Sequence, residues 1–236
     1  MMRTLRNWER ALLLHVSFLF INCCIIEIMK NSLDDFYKHG HHQIKICVSG
    51  AAETGHCGIG ALDKAKELGR EIARQGAVLI TGATTGFPLW TSMGAKEAGG
   101  MSIGFSPAAS EQEHVETYKL PLDYQDLIIY TGFGYPGRDL LLTRSADAVI
   151  CGCGRIGTIH EFTIAFEDNK PIGIFEGPWA MDEELQEIIN KAHRPNNKII
   201  SGVDAKELVA KIIELVQKNK VDDLKPASSA VPDPIQ

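Results

Sequence analysis

The sequence has no excess of basic residues and no apolar run long enough to cross a bilayer, and it lacks the P-loop and zincin motifs. Its 24 Lys and Arg are outnumbered by 30 Asp and Glu, which gives a formal net charge of −6. Nucleic-acid-binding domains usually carry a basic excess instead. The chain contains no G-K-[ST] or H-E-x-x-H sequence, which argues against a P-loop ATPase and a zincin. These absences favour a protein that acts on a small molecule and has no nucleic-acid partner.

The N-terminus combines a basic start with a moderately long apolar run. Arg3, Arg6 and Arg10 precede the uncharged residues 11–26, a run shorter than the ~20 residues that span a bilayer comfortably. This pattern imitates a secretory signal. It also fits a membrane anchor, a packed helix, or a native start at Met29. We treat residues 1–43 as an N-terminal extension, and the membrane as a partner only if residues 1–28 anchor the chain.

The six cysteines are too few and too scattered to define a disulfide framework. They are Cys23, Cys24, Cys47, Cys57, Cys151 and Cys153. We expect reduced thiols and a cytoplasmic protein, because a chain of this length can bury its own core. A zinc site from the 56–57 and 151–153 segments, or a metal on the histidines of residues 39–42, is a weaker alternative. We therefore predict neither a metal nor a cofactor.

Between residues 44 and 220, short apolar runs alternate with helical patterns. The predicted strands are 44–49, 77–81, 101–105, 126–130, 147–151, 171–175 and 198–200. The predicted helices are 61–74, 91–98, 138–145, 158–167, 181–193 and 205–218. Continuous apolar strands that alternate with helices indicate an α/β domain with a doubly wound, mostly parallel, Rossmann-like sheet and helices on both faces. We predict one such domain over residues 44–220, followed by a flexible, proline-containing tail over 221–236.

Three glycine-rich loops follow predicted strands, at residues 49–55, 81–86 and 152–158. Ligands of such sheets bind at the carboxyl ends of the strands, where glycine allows a close approach and the next helix offers free N–H groups. Tight strand-to-helix turns also need glycine for structural reasons alone. The candidate phosphate- or nucleotide-binding residues are Ser49, Gly50, Thr81, Gly82, Thr84, Thr85, Gly86, Gly154, Arg155, Gly157 and Thr158. Phe87 and Trp90 either stack on a base or cover the core.

The third loop fits two different motifs. Gly152, Gly154 and Gly157 spell G-x-G-x-x-G, and Glu176 ends the next predicted strand at the distance of the ribose-binding acid in dinucleotide-binding proteins. This interpretation makes the protein an NAD-binding oxidoreductase. It has two weaknesses, because the motif follows at least four strands and leaves Arg138 and Glu161 without a role.

The second motif in this loop carries a resemblance to a known family. Residues 154–161, GRIGTIHE, resemble the P-G-G-x-G-T-x-x-E motif of the LOG ("lonely guy") proteins, long described as lysine decarboxylases. Arg138, the strand that follows it (ADAVI, 146–150) and the TGATTG loop at 81–86 are also similar to that family. The likeness extends over about residues 44–189.

The resemblance implies a Rossmann-like, homodimeric protein that binds nucleoside 5′-monophosphates. It implies a phosphoribohydrolase, which cleaves the N-glycosidic bond to free base and ribose 5-phosphate without a metal. Carried onto this chain, Arg138 and Glu161 are the catalytic pair, and Gly157, Thr158 and the 81–86 loop hold the phosphate.

The sequence also departs from the family pattern. Cys153 and Arg155 replace a proline and a glycine of the motif, Asp139 stands where a lysine commonly follows the catalytic arginine, and Ala83 replaces a loop glycine. These changes indicate a divergent member and keep open a non-catalytic nucleotide sensor on the same fold.

The chemistry of the two candidate catalytic residues fits glycosidic cleavage without the resemblance. A carboxylate such as Glu161 stabilises an oxocarbenium-like transition state or positions water. Arg138 either stabilises the departing base or holds the substrate. Alternatively, Glu161 is a first-turn acid that only compensates the helix dipole.

Overall fold

A computed structural model describes residues 43–223, which form one α/β domain. Its strands are β1 (Lys45–Ser49), β2 (Val78–Thr81), β3 (Ser102–Ser106), β4 (Leu127–Tyr130), β5 (Ala148–Cys151), β6 (Ile172–Phe175) and β7 (Ile199–Gly202). Its α-helices are α1 (Ala61–Arg74), α2 (Phe87–Glu97), α3 (Gly134–Ser145), α4 (Ile156–Glu167), α5 (Met181–Lys191) and α6 (Ala205–Asp223). A short π-helical segment, Glu113–Thr117, lies between β3 and β4.

The seven strands form one parallel sheet in the order β4-β3-β2-β1-β5-β6-β7. The chain starts in the middle of the sheet, winds outward to β4, and returns to the other side of β1 with β5. In the register of the sheet, Cys47 of β1 pairs with Ile80 of β2 on one side and Val149 of β5 on the other. This arrangement confirms the predicted doubly wound, Rossmann-like fold. It places the topological switch point, where such folds bind ligands, between β1 and β5.

The central strands lie in the core because they are apolar on both faces. Every residue of β2 and β5 is buried, as are the last four residues of β1. Helices α1 and α2 pack against each other at unusually short range, because a Cβ atom at Gly69 or Gly94 would collide with a backbone carbonyl of the facing helix. The layer they form supports the loops at the carboxyl ends of β1 and β2.

Most differences from the predicted elements concern where helices begin and end. Helix α2 begins at Phe87, four residues earlier than predicted, because Pro88 fits the first turn of a helix. Helices α3 and α4 also begin earlier than predicted, and the π-helical segment was not predicted at all. Helix α6 runs to Asp223 and so enters the segment predicted as a flexible tail. Residues 1–42 of the extension predicted for 1–43, and the tail beyond residue 223, lie outside the described residues.

Between residues 43 and 223, no helix combines the length and the apolar character that crossing a bilayer requires.

Candidate functional site

The candidate site lies where β1, β2 and β5 end and their loops lead into helices. The loop after β1 covers residues 50–60, the loop after β2 covers 82–86, and the loop after β5 covers 152–155. The first and third loops are joined by a 2.8 Å hydrogen bond from the Ala51 N–H to the Cys153 carbonyl. The three glycine-rich segments therefore converge, as the sequence predicted.

Several of the loop glycines are required by packing. A Cβ atom at Gly50 would lie 2.7 Å from the ring of Phe87, and one at Gly152 would collide with the same ring. Gly86 has a φ of +67°, and a Cβ there would meet the carbonyl of Ala52. Phe87 itself is completely buried. Of the two predicted roles, stacking on a base and covering the core, Phe87 therefore has the second.

Gly82 makes room for Arg138. The Arg138 guanidinium donates through Nη1 to the carbonyl oxygens of Gly82 and, at 3.3 Å, of Phe105. Its Nε donates to Oδ1 of Asp139 at 3.0 Å. A Cβ atom at Gly82 would occupy the position of Nη1. Arg138 is therefore buried beneath the second loop, where it holds the loop backbone and neutralises an adjacent carboxylate.

The N-terminus of α4 is the open part of the site. Apart from its two chain neighbours and the backbone of its own helix, no atom of the described residues lies within 4 Å of a Cβ built on Gly157. Among the described residues, no backbone carbonyl accepts from the N–H groups of Ile156 or Gly157. Thr158 is buried against Gly154, and Arg155 is exposed and paired with Glu53 at 3.0 Å. Of the residues predicted in this loop, Gly157 is the one best placed to meet an anion with its backbone.

The hydroxyl groups of the predicted binding residues differ in whether they already make a hydrogen bond within the protein. The Thr81 hydroxyl accepts from the Ala83 N–H and the Gln125 side chain, both at 3.3 Å, and the Thr85 hydroxyl donates to the Ala52 carbonyl at 3.1 Å. Ser49 differs, because its buried hydroxyl makes no hydrogen bond of ordinary geometry with any group of residues 43–220. A buried polar group without a partner is uncommon. Ser49 therefore remains available to a ligand or to Glu161.

Glu161 is a buried carboxyl group whose pKa is raised. Burial raises the pKa to about 7, and the nearby Asp139 carboxylate acts in the same direction. The Arg138 guanidinium and the Ser49 hydroxyl lower the pKa in part. A carboxyl group in this range can hold or release a proton near neutral pH, as a general acid or base must. Residues 49, 138 and 161, which the sequence singled out separately, thus share one environment.

Sequence reasoning treated Asp139 only as a departure from the family pattern and did not consider His160. In the structure, His160 Nδ1 lies 3.0 Å from Asp139 Oδ2. Asp139 is buried, whereas 44% of the His160 side chain is exposed. Each of the two residues is adjacent in sequence to a predicted catalytic residue, since Asp139 follows Arg138 and His160 precedes Glu161. This adjacency could have indicated them.

The expectation that the cysteines near the site are reduced was wrong for one pair. Cys57 and Cys153 form a disulfide that joins the loops after β1 and β5, with a Cα–Cα distance of 5.6 Å. His56 Nε2 lies 3.6 Å from Cys153 Sγ and 3.9 Å from Cys57 Sγ. The predicted zinc alternative thus correctly brought three of its residues together. However, the two sulfur atoms are bonded to each other, and Cys151 is a free thiol in β5.

Glu176, the acid of the dinucleotide alternative, lies at a different place. It helps to line a cavity between β6, β7 and α5, with Asp182, Gln186 and Ser201 among the other lining residues. No residue of the 152–157 loop lines this cavity. Glu176 and the 152–157 loop, which the NAD interpretation combines, therefore do not line this cavity together.

The fold and the converging loops define a Rossmann-like protein of the nucleotide-binding type. Residues 43–209 match the sequence profile of the SLOG cluster4 family, and the chain belongs to this family. The resemblance to the LOG proteins and the interpretation as a divergent member are thereby confirmed. An uncharacterized protein of Archaeoglobus fulgidus is 30% identical over 135 residues, which are 57% of this chain and 83% of that protein.

Solved structures of similar fold include carriers of a cofactor. The molybdenum cofactor binding protein of Rippkaea orientalis is 28% identical, with a TM-score of 0.60, over 77% of this chain and 99% of that one. The molybdenum cofactor carrier protein of Chlamydomonas reinhardtii is 27% identical, with a TM-score of 0.57, over 75% and 99% of the two chains. The single-stranded-DNA-binding DNA processing protein A of Helicobacter pylori shares only the fold, at 14% identity and a TM-score of 0.54 over 72% and 80%.

Proposed function

We propose that this protein binds a nucleoside 5′-monophosphate and hydrolyses its N-glycosidic bond to free base and ribose 5-phosphate. The observation that carries the proposal is the buried Glu161 carboxyl, whose pKa is raised to about 7, one turn after the open N-terminus of α4. A phosphate at Gly157 would meet free N–H groups and the positive end of the helix dipole. The ribose of the same ligand would then lie near Glu161.

The reaction needs a carboxylate beside the ribose. As the bond between C1′ and the base breaks, positive charge develops on the sugar, and an ionised Glu161 would stabilise it or accept a proton from the attacking water. Arg138 is held by Gly82, Phe105 and Asp139. Its contribution would be to fix the second loop and to keep part of the Glu161 population ionised.

Release of free base tests the proposal directly. The purified protein is incubated with a panel of nucleoside 5′-monophosphates and with NAD, and the products are separated by chromatography. We expect base release from at least one monophosphate, and loss of this release in Glu161→Gln. The matched control is Glu71→Gln, which alters another buried glutamate, on α1, that pairs with Arg74 at 2.7 Å. Release that persists in Glu161→Gln contradicts the proposed role of this residue.

A second candidate function is the non-catalytic binding of a phosphorylated ligand. The similarity to molybdenum cofactor binding and carrier proteins at 27–28% identity favours it, as do Asp139 and Arg155 at positions where the LOG motif differs. In the same experiment, saturable binding of a monophosphate or of the molybdenum cofactor without base release would support this candidate. Saturable NAD binding that Glu176→Ala weakens would instead support the dinucleotide alternative.

A homo-oligomer remains the expected assembly. The edge strand β4 and helix α3 expose large apolar side chains. They are Leu127, Ile129, Leu140 and Leu141. An apolar surface of this kind commonly marks a protein interface. We propose that this face joins two copies of the chain.

A further inference from the structure

The pair formed by Asp139 and His160 has the geometry of an oriented acid–base group. Asp139 Oδ1 accepts from Arg138 and Oδ2 lies 3.0 Å from His160 Nδ1, so both carboxylate oxygens are engaged and the carboxylate is fixed. An ionised carboxylate can only accept, so Nδ1 of His160 carries a proton. The other ring nitrogen, Nε2, has no hydrogen-bond partner among residues 43–220.

His160 borders a cavity of about 510 Å³ beside the N-terminus of α4. Most of the lining is apolar and comes from Tyr135, Pro136, Ile156 and Ile159. Gly157, whose backbone faces the proposed phosphate position, lines the same cavity. Small-molecule sites combine an apolar lining with a few placed polar groups in this way. The cavity is therefore continuous with the proposed phosphate site. A flat, apolar group bound in it could form one hydrogen bond, with Nε2 of His160.

We propose that this cavity binds the heterocyclic base of the ligand and that His160, oriented by Asp139, contacts the base through Nε2. This inference rests on the proposed function, because it assigns the two parts of one nucleotide to adjacent regions. The phosphate lies at Gly157 and the base lies against Tyr135 and Ile156. His160 is the residue that recognises the base.

The same contact would serve the cleavage step. Water attacks C1′, the bond from C1′ to the base nitrogen breaks, and its electron pair moves onto the base. Protonated His160 donates its Nε2 proton to the departing base, while Glu161 accepts a proton from the water. The products are free base and ribose 5-phosphate. The proton balance is restored when Glu161 loses and His160 regains a proton through solvent.

Two substitutions of His160 separate recognition from proton transfer. Asparagine keeps a donor near the Nδ1 position for Asp139 but lacks a group at Nε2, whereas glutamine reaches the Nε2 position and cannot transfer a proton. The affinities for AMP and for ribose 5-phosphate, which has no base, are measured by calorimetry, together with kcat and KM for base release. The control is His193→Asn, because His193 is exposed, lies after α5 and has a φ of +50° that asparagine tolerates.

We expect His160→Asn to weaken AMP binding roughly fivefold to tenfold, the effect of one lost hydrogen bond, with little change for ribose 5-phosphate. His160→Gln should bind AMP nearly normally but lower kcat by about 100-fold or more. Equal losses for both ligands, or an unchanged affinity for AMP in His160→Asn, overturn the inference. If the wild-type protein binds no monophosphate of the panel and no ribose 5-phosphate, the proposed function fails first and the base site fails with it. If the wild type binds without turnover, the affinities alone decide the recognition role and the protonation step is refuted.

Discussion

Replacing Glu161 by glutamine should stabilise the protein at alkaline pH and leave its stability nearly unchanged at acidic pH. The pKa of Glu161 is about 7 in the folded chain, compared with 4.5 for an ordinary glutamate. Because the folded pKa is raised, the folded chain holds this proton more tightly than the unfolded chain does. The free energy of unfolding therefore falls as the pH rises from about 4.5 to about 7. At about 1.4 kcal/mol per pH unit, the total cost above pH 7 is about 3 kcal/mol.

Glutamine carries no charge, so the variant should recover part of this cost. We expect a gain of about 1–3 kcal/mol at pH 8 and less than about 1 kcal/mol at pH 5. Urea unfolding of both proteins at the two pH values and one ionic strength measures the difference. The control is Glu187→Gln, because Glu187 is exposed and Lys191 lowers its pKa, so its loss should bring no gain at pH 8. A stability difference for Glu161→Gln that is the same at both pH values would refute this account of the buried carboxyl.

Two further predictions concern the loops around the site. Cys57→Ser removes a cross-link between residues 96 positions apart, and chain entropy sets its maximum effect at about 4–5 kcal/mol. Thermal unfolding should show a lower Tm than for the oxidised wild type, and a wild-type Tm that dithiothreitol leaves unchanged would contradict the disulfide. Gly82→Ala places a methyl group where Arg138 Nη1 lies, and should cost about 1–3 kcal/mol by displacing the guanidinium. Gly55→Ala, which adds a methyl group in open space, is the control, and equal losses of stability in the two variants would show that Arg138 is not held as described.

The fold could be predicted because its signals are local. Each of the seven strands was found as a short apolar run, including the edge strands β4 and β7, which are only partly buried. The boundaries of helices were less certain, since α2 begins at a phenylalanine and a proline whose burial depends on distant residues. The π-helical segment 113–117 shows no periodicity that could have indicated it.

The candidate site could be predicted only in part. The topology brings together the ends of β1, β2 and β5, so the convergence of the glycine-rich loops followed from the fold. The reasons for individual glycines did not follow, because Gly50 and Gly152 are explained by a ring that lies over thirty positions away. The disulfide and the Asp139–His160 contact likewise depend on side-chain directions that spacing along the chain does not reveal.

Because of the Phe87 ring, the residues that positions 50, 87 and 152 can accept depend on one another. It fills the space that a side chain would need at either glycine, so alanine at 50 or 152 requires a smaller residue at 87. A smaller residue at 87 would in turn remove its edge-to-face contact with Trp179, now at 5.8 Å between ring centroids. Related chains that differ at one of these positions should therefore differ at the others as well. An engineered loop that ignores this dependence would be expected to shift the ends of β1 and β5 together.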